Sequence, residues 1–81
     1  MSLAMEIKTI RQKSFMTQTE FAAKINVTFN TVNRWETGKT RPNISAMKTI
    51  RTFCAENAID SSNLEEAWIR SKVSDGGNDH G

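Results

Sequence analysis

Apolar residues return every three or four positions along most of this 81-residue chain, the period of a helix with one inward face. Leu3, Ile7 and Ile10 predict a first helix over about 3–14. Phe21, Ala22 and Ile25 line a second over about 18–25, and Val32 and Trp35 the buried side of a third over about 29–37. Ile44, Met47, Ile50 and Cys54, with Phe53 beside them, form the stripe of a fourth over about 44–57. Leu64, Ala67, Trp68 and Ile69 mark a fifth over about 62–73. No segment alternates apolar and polar residues with period two, and no internal repeat stands out. The fold expected is therefore all-α, a compact bundle of five short helices forming one domain over residues 1–73. Residues 74–81, SDGGNDHG, have no apolar residue and are expected to be a disordered tail.

Polar punctuation agrees with this division. Thr17-Gln18-Thr19-Glu20 is a T-x-x-E capping box, in which the first and last residues satisfy each other's free backbone N–H groups. Asn26 falls where the chain must turn sharply, and asparagine tolerates positive φ better than most non-glycine residues. Thr28 is placed to cap the third helix, and Gly38 to end it at the C′ position. Pro42 stops any continuation, and Asn43 caps the fourth helix. Ser62-Asn63-Leu64-Glu65 reads as a second capping box opening the fifth.

The run from Met16 to Pro42 thus holds two short helices joined by a tight turn, the second polar on its outer face and followed by a basic loop. That arrangement suits insertion of one helix into the major groove of DNA. The chain resembles the Cro and phage-repressor type of helix-turn-helix domain, the xenobiotic-response-element (XRE) family. The resemblance rests on Ile7, Ile10 and Arg11, then Thr17-Gln18, Phe21-Ala22, Asn26-Val27-Thr28, Thr31-Val32, Trp35-Glu36, Gly38 and Arg41-Pro42. It covers roughly residues 5–59 and implies a lambda-repressor-like fold. The family usually has glycine where this chain has Asn26 and Phe15. A bulky aromatic with positive φ is uncommon, so Phe15 either packs against a neighbour or is forced into poor backbone geometry; packing is the expectation.

Charge sharpens the picture. Residues 1–51 hold nine Lys/Arg against Glu6, Glu20 and Glu36, a balance of +6; residues 52–81 hold Arg70 and Lys72 against six acids, a balance of −4. A basic half carrying the helix-turn-helix and an acidic half away from it would orient the domain toward phosphates. The single cysteine, Cys54, leaves no disulfide framework and suits a cytoplasmic protein. With no Cys/His cluster no zinc site is expected, nor any other metal or cofactor. No apolar run reaches membrane-span length, and no signal-peptide layout opens the chain. Nothing pairs a nucleophile with a base, so no catalytic residue and no enzyme activity are expected.

Phe29, Asn30, Asn33 and Arg34 share the exposed side of the third helix, opposite Val32 and Trp35. Arg34 can offer a bidentate fork to guanine, Asn30 can pair with adenine, and Phe29 can rest on a thymine methyl. The resemblance implies that Thr28, Phe29, Asn30 and Arg34 match positions that reach bases. Phosphate contacts are expected from Gln18, which also matches the family's phosphate-clamping glutamine, and from Thr37, Lys39, Arg41 and Asn43 in and beside the following loop. Arg11 and Glu36 adjoin core positions and match family positions that pair, which implies a partly buried ion pair. Trp35 reads as core, Cys54 as a small buried hydrophobe, and His80 as a tail residue without a role. Trp68 either completes the monomer core or faces a second subunit.

The function expected is a sequence-specific, DNA-binding transcriptional regulator, a homodimeric repressor on a two-fold operator in double-stranded DNA. Residues 59–73 are the expected dimer contact. The alternative is a protein-binding module such as an antitoxin, which neutralises a partner toxin and represses its own operon.

Overall fold

The computed structural model describes residues 2–71. The expected end of the fifth helix at Val73, the tail over residues 74–81 and His80 lie outside the described residues. The elements run α1 (Leu3–Lys13), α2 (Gln18–Lys24), α3 (Phe29–Glu36), α4 (Ile44–Glu56) and α5 (Ser62–Arg70), with no strand among the described residues. α1 packs against both α3 and α5, and α2 packs against α3. Between them lies one core of Ile7, Ile10, Phe21, Ala22, Ile25, Val32, Trp35, Met47, Ile50, Phe53, Cys54 and Leu64. Phe21 and Phe53 meet edge to face, centroids 5.4 Å apart, the arrangement that ring quadrupoles favour.

Side-chain caps start the first four helices. Ser2, Thr17, Thr28 and Asn43 accept the backbone N–H groups of Met5, Glu20, Thr31 and Ala46 in turn, and the Thr17–Glu20 box is complete. α5 departs from expectation. Ser62 is not its cap: Asp60 Oδ1 accepts both the backbone N–H and the hydroxyl of Ser62, while the Ser61 hydroxyl donates to Glu65 at 2.6 Å. Ser61 holds the N-cap position without a side-chain cap bond, and the Asp60 carboxylate takes the N–H of the helix's first residue instead. Those two bonds, first the hydroxyl's, hold the Asp60 carboxyl below its ordinary pKa. The stabilisation from these two bonds is therefore at full strength above the ordinary aspartate range and is lost as pH falls through the lowered value.

The first four helices all stop in one way. Residues Phe15, Asn26, Gly38 and Ala58 take positive φ, and in each case the next residue's N–H reaches back to the helix. Met16, Val27, Lys39 and Ile59 donate to the carbonyls of Arg11, Ala22, Arg34 and Cys54 at 2.8–3.3 Å. This is the Schellman stop, which glycine makes at least cost. Only Gly38 is glycine, and a Cβ there would meet nothing within 4 Å, so its φ of +79° alone accounts for it. Asn26, at φ 62°, makes the turn of the helix-turn-helix. After three of the stops an apolar residue (Met16, Val27 or Ile59) folds back onto the core.

Expectations for three apolar residues fail. Ile44 does not join the inward stripe; it is 60% exposed. It is the first residue of α4, and Pro42, fully buried just before the helix, occupies the interior at that end. Ile69, placed on the apolar side of α5, is likewise exposed. Phe15 does not pack against the described residues: it is 94% exposed at φ 57°, so the strained alternative holds. Replacing Phe15 with glycine should relieve about 1 kcal/mol of strain, raising the melting temperature by roughly 4–8 °C for a domain of this size. An unchanged or lower melting temperature for Phe15→Gly would show that the ring contributes packing after all.

Candidate nucleic-acid interface

The orientation of α3 is set from beneath. Val32 and Trp35 are buried, leaving the opposite side of a two-turn helix outward. Among the described residues Trp35 Nε1 is buried without a partner, a burden of about 1–3 kcal/mol that the surrounding packing must offset. At the end of the helix, Arg11 donates from Nε to Glu36 Oε2 at 2.7 Å and from Nη2 to Oε1 at 2.9 Å. The two side chains are only 13% and 4% exposed. The Glu36 hydrogen bonds raise the Arg11 pKa further against the opposing effect of burial. Arg11 Nη1 also donates to the Met16 carbonyl at 3.0 Å, tying the α1–α2 turn to the pair.

This ion pair extends to the surface. Gln18 Nε2 donates to Glu36 Oε1 at 3.0 Å, and Gln18 Oε1 receives Asn33 Nδ2 at a long 3.5 Å. Gln18, expected on phosphate, and Asn33, expected on a base, thus stand side by side on a network anchored in the core. Asn33 is half-buried, whereas Thr28, Asn30 and Arg34 are exposed and Phe29 is 48% exposed. Among the described residues the Asn30 and Arg34 side chains have no hydrogen-bond partner. Thr28 is occupied as the cap of α3, sharing a further 2.9 Å bond with the Thr31 hydroxyl.

The expected phosphate set divides. Lys39 is exposed, at the position where the other helix ends place Met16, Val27 or Ile59 against the core. Asn43 Oδ1 caps α4, which leaves its amide N–H groups outward. The Thr37 hydroxyl donates back to its own helix, at the Asn33 carbonyl, 2.9 Å away. Arg41 is docked: its Nη1 donates to the Trp68 carbonyl at 3.0 Å and to Ser71 Oγ at 2.8 Å, and its guanidinium lies 4.3 Å from the Trp68 ring centroid. Trp68 in turn donates from Nε1 to the Pro42 carbonyl at 2.7 Å. The half-buried indole therefore packs against the core of its own chain. Sequence patterning could not expose this pairing, because its partners lie 26–30 residues apart.

Burial pushes the Cys54 thiol up to about 11, with Glu65 and then Asp60 adding to the shift, so it is a protonated core residue at neutral pH. Among the described residues no group of three or more His, Cys, Asp or Glu side chains is placed to hold a metal ion. No helix among them is long and apolar enough to cross a membrane.

If Glu36 holds α1 and α3 together, Glu36→Ala should strand the Arg11 charge and destabilise the domain by about 3–5 kcal/mol. Urea denaturation checks this, and a midpoint equal to the parent's would refute it.

Comparison with protein-family models gives a match to the helix-turn-helix family over residues 7–54. Neither curated proteins nor solved structures give a match. With the all-helical fold and the exposed third helix, that match makes the chain a member of the Cro/C1-type (XRE) helix-turn-helix family of DNA-binding domains.

Proposed function

We propose that this protein is a homodimeric transcriptional repressor that reads a two-fold DNA operator with α3 in the major groove. The observation that carries the proposal is the outer face of α3. Phe29, Asn30 and Arg34 stand exposed on a helix whose other face is locked by Val32, Trp35 and Glu36. A rigid helix with free, multivalent hydrogen-bonding groups is what direct readout requires. Arg34 would fork onto guanine, Asn30 onto adenine, and Phe29 would lie against a thymine methyl, with Thr28 and Asn33 at the margins of the face.

Phosphate contacts fall to Gln18, Lys39 and Asn43, with Thr37 able to join once its hydroxyl leaves its own helix. Gln18, at the start of α2, and Lys39, just past the end of α3, would grip the phosphates bordering the groove. One such helix reads only a few base pairs, and a dimer on adjacent half-sites supplies the missing specificity. α5, with Ile69 exposed, is the candidate for the subunit contact.

Binding curves on operator, selected from random DNA, and on unrelated DNA test this reading at several salt concentrations. Arg34→Ala should cost about 1–3 kcal/mol on operator and blur preference at one position per half-site. Lys39→Ala should weaken both DNAs alike. Its salt slope should be shallower by about one unit for each phosphate left ungripped, hence about two for a dimer. Equal weakening by Arg34→Ala on both DNAs would show that the recognition face is misassigned. If neither variant changes anything, the antitoxin-type reading takes over.

A further inference from the structure

The segment between α3 and α4 leaves the recognition helix carrying Lys39 and ends at Asn43, so both phosphate donors ride on it. Its first end is fixed by the helix stop, where Lys39 N–H donates to the Arg34 carbonyl at 2.9 Å. Its second end is fixed at Asn43, which caps α4, and by the buried Pro42; the stretch between is held by reaching across to α5. Trp68 holds it from two sides: Nε1 bonds to the Pro42 carbonyl, and the indole face and main-chain carbonyl receive the Arg41 guanidinium. Ser71 completes the seat, accepting from Arg41 while donating to the Trp68 carbonyl at 2.9 Å. Arg41 also sits at the C-terminal end of α5, where helix carbonyls favour a cation. α5 lies outside residues 7–54, the part that matches the family.

We infer that Trp68 and Arg41 form a clamp that sets the conformation of the loop presenting Lys39 and Asn43 to DNA. Both are positioning residues, and Arg41 makes no phosphate contact of its own. The inference rests on the DNA-binding reading above. It makes α5 a determinant of DNA affinity through the loop.

The test uses the full chain, at a temperature where every variant is folded. Trp68→Phe keeps an aromatic ring but deletes the bond to Pro42, and Arg41→Ala deletes the other half of the clamp. Each should weaken binding to operator and unrelated DNA by about five- to tenfold, the worth of one or two hydrogen bonds. The slope of log K against log salt should stay at the parent value. The double variant should bind no more weakly than the worse single one, because both changes open one clamp. Without DNA, amide exchange at Thr40, whose long 3.4 Å bond to the Arg34 carbonyl lies next to the clamp, should quicken in both variants. A salt slope reduced by Arg41→Ala as it is by Lys39→Ala would make Arg41 a phosphate contact and overturn the inference. So would unchanged amide exchange, or weakening by Trp68→Phe that vanishes once protein concentration restores a dimer. Should the parent bind no DNA at all, the positioning role falls with the DNA-binding reading, while faster exchange in the variants would still mark the clamp itself.

Discussion

A carboxylate buried between α1 and α3 fixes the geometry on which the proposed interface depends. Glu36 collects three donors, two from Arg11 and one from Gln18. Such a pair is a weak source of net stability, since desolvating both charges offsets most of their attraction. Its value is directional. Two parallel bonds from a planar guanidinium admit one relative placement of the helices, and the third bond carries that placement to Gln18. Arg11 simultaneously holds the Met16 carbonyl. Movement of α3 relative to α1 would therefore break the bonds of Glu36 to Arg11.

The helix ends follow a second common rule with one exception. Four stops use a positive-φ residue and a returning N–H, and three then bury an apolar side chain. The end of α3 substitutes Lys39, which stays in solvent. The chain thereby gives up one hydrophobic anchor where the proposed function needs a cation, and α5 supplies replacement anchorage through Pro42 and Arg41. The non-glycine stops at Phe15 and Ala58 cost backbone strain that glycine would avoid.

Much of this was legible in the sequence because it is local. Capping at Thr17, Thr28 and Asn43 depends on residues three apart, and the inward faces depend on the helical period. Asn26 and Gly38 announce their turns by residue type. Ala58 carries no such signal, for nothing in alanine marks a left-handed residue. Phe15 was ambiguous because a sequence does not show whether a ring finds neighbours. Ile44 failed because the helical period says nothing about where the core ends, and Pro42 already filled that space. Arg41 looked like a free loop cation since its partners, Trp68 and Ser71, lie 27 and 30 residues further along the chain. Phe29, Asn30 and Arg34 were legible as an exposed face, whereas Asn33, read as part of that face, is half-buried beside Gln18.

The central claim, that the outer face of α3 reads DNA in the major groove, can be tested at the level of single atoms. Methylation interference on operator DNA separates the grooves, because guanine N7 lies in the major groove and adenine N3 in the minor. The account predicts that methylating guanine N7 within each half-site blocks binding. It also predicts that this block disappears for the guanine read by Arg34 when Arg34→Ala is used. Interference confined to adenine N3, with guanine N7 methylation tolerated throughout, would contradict it.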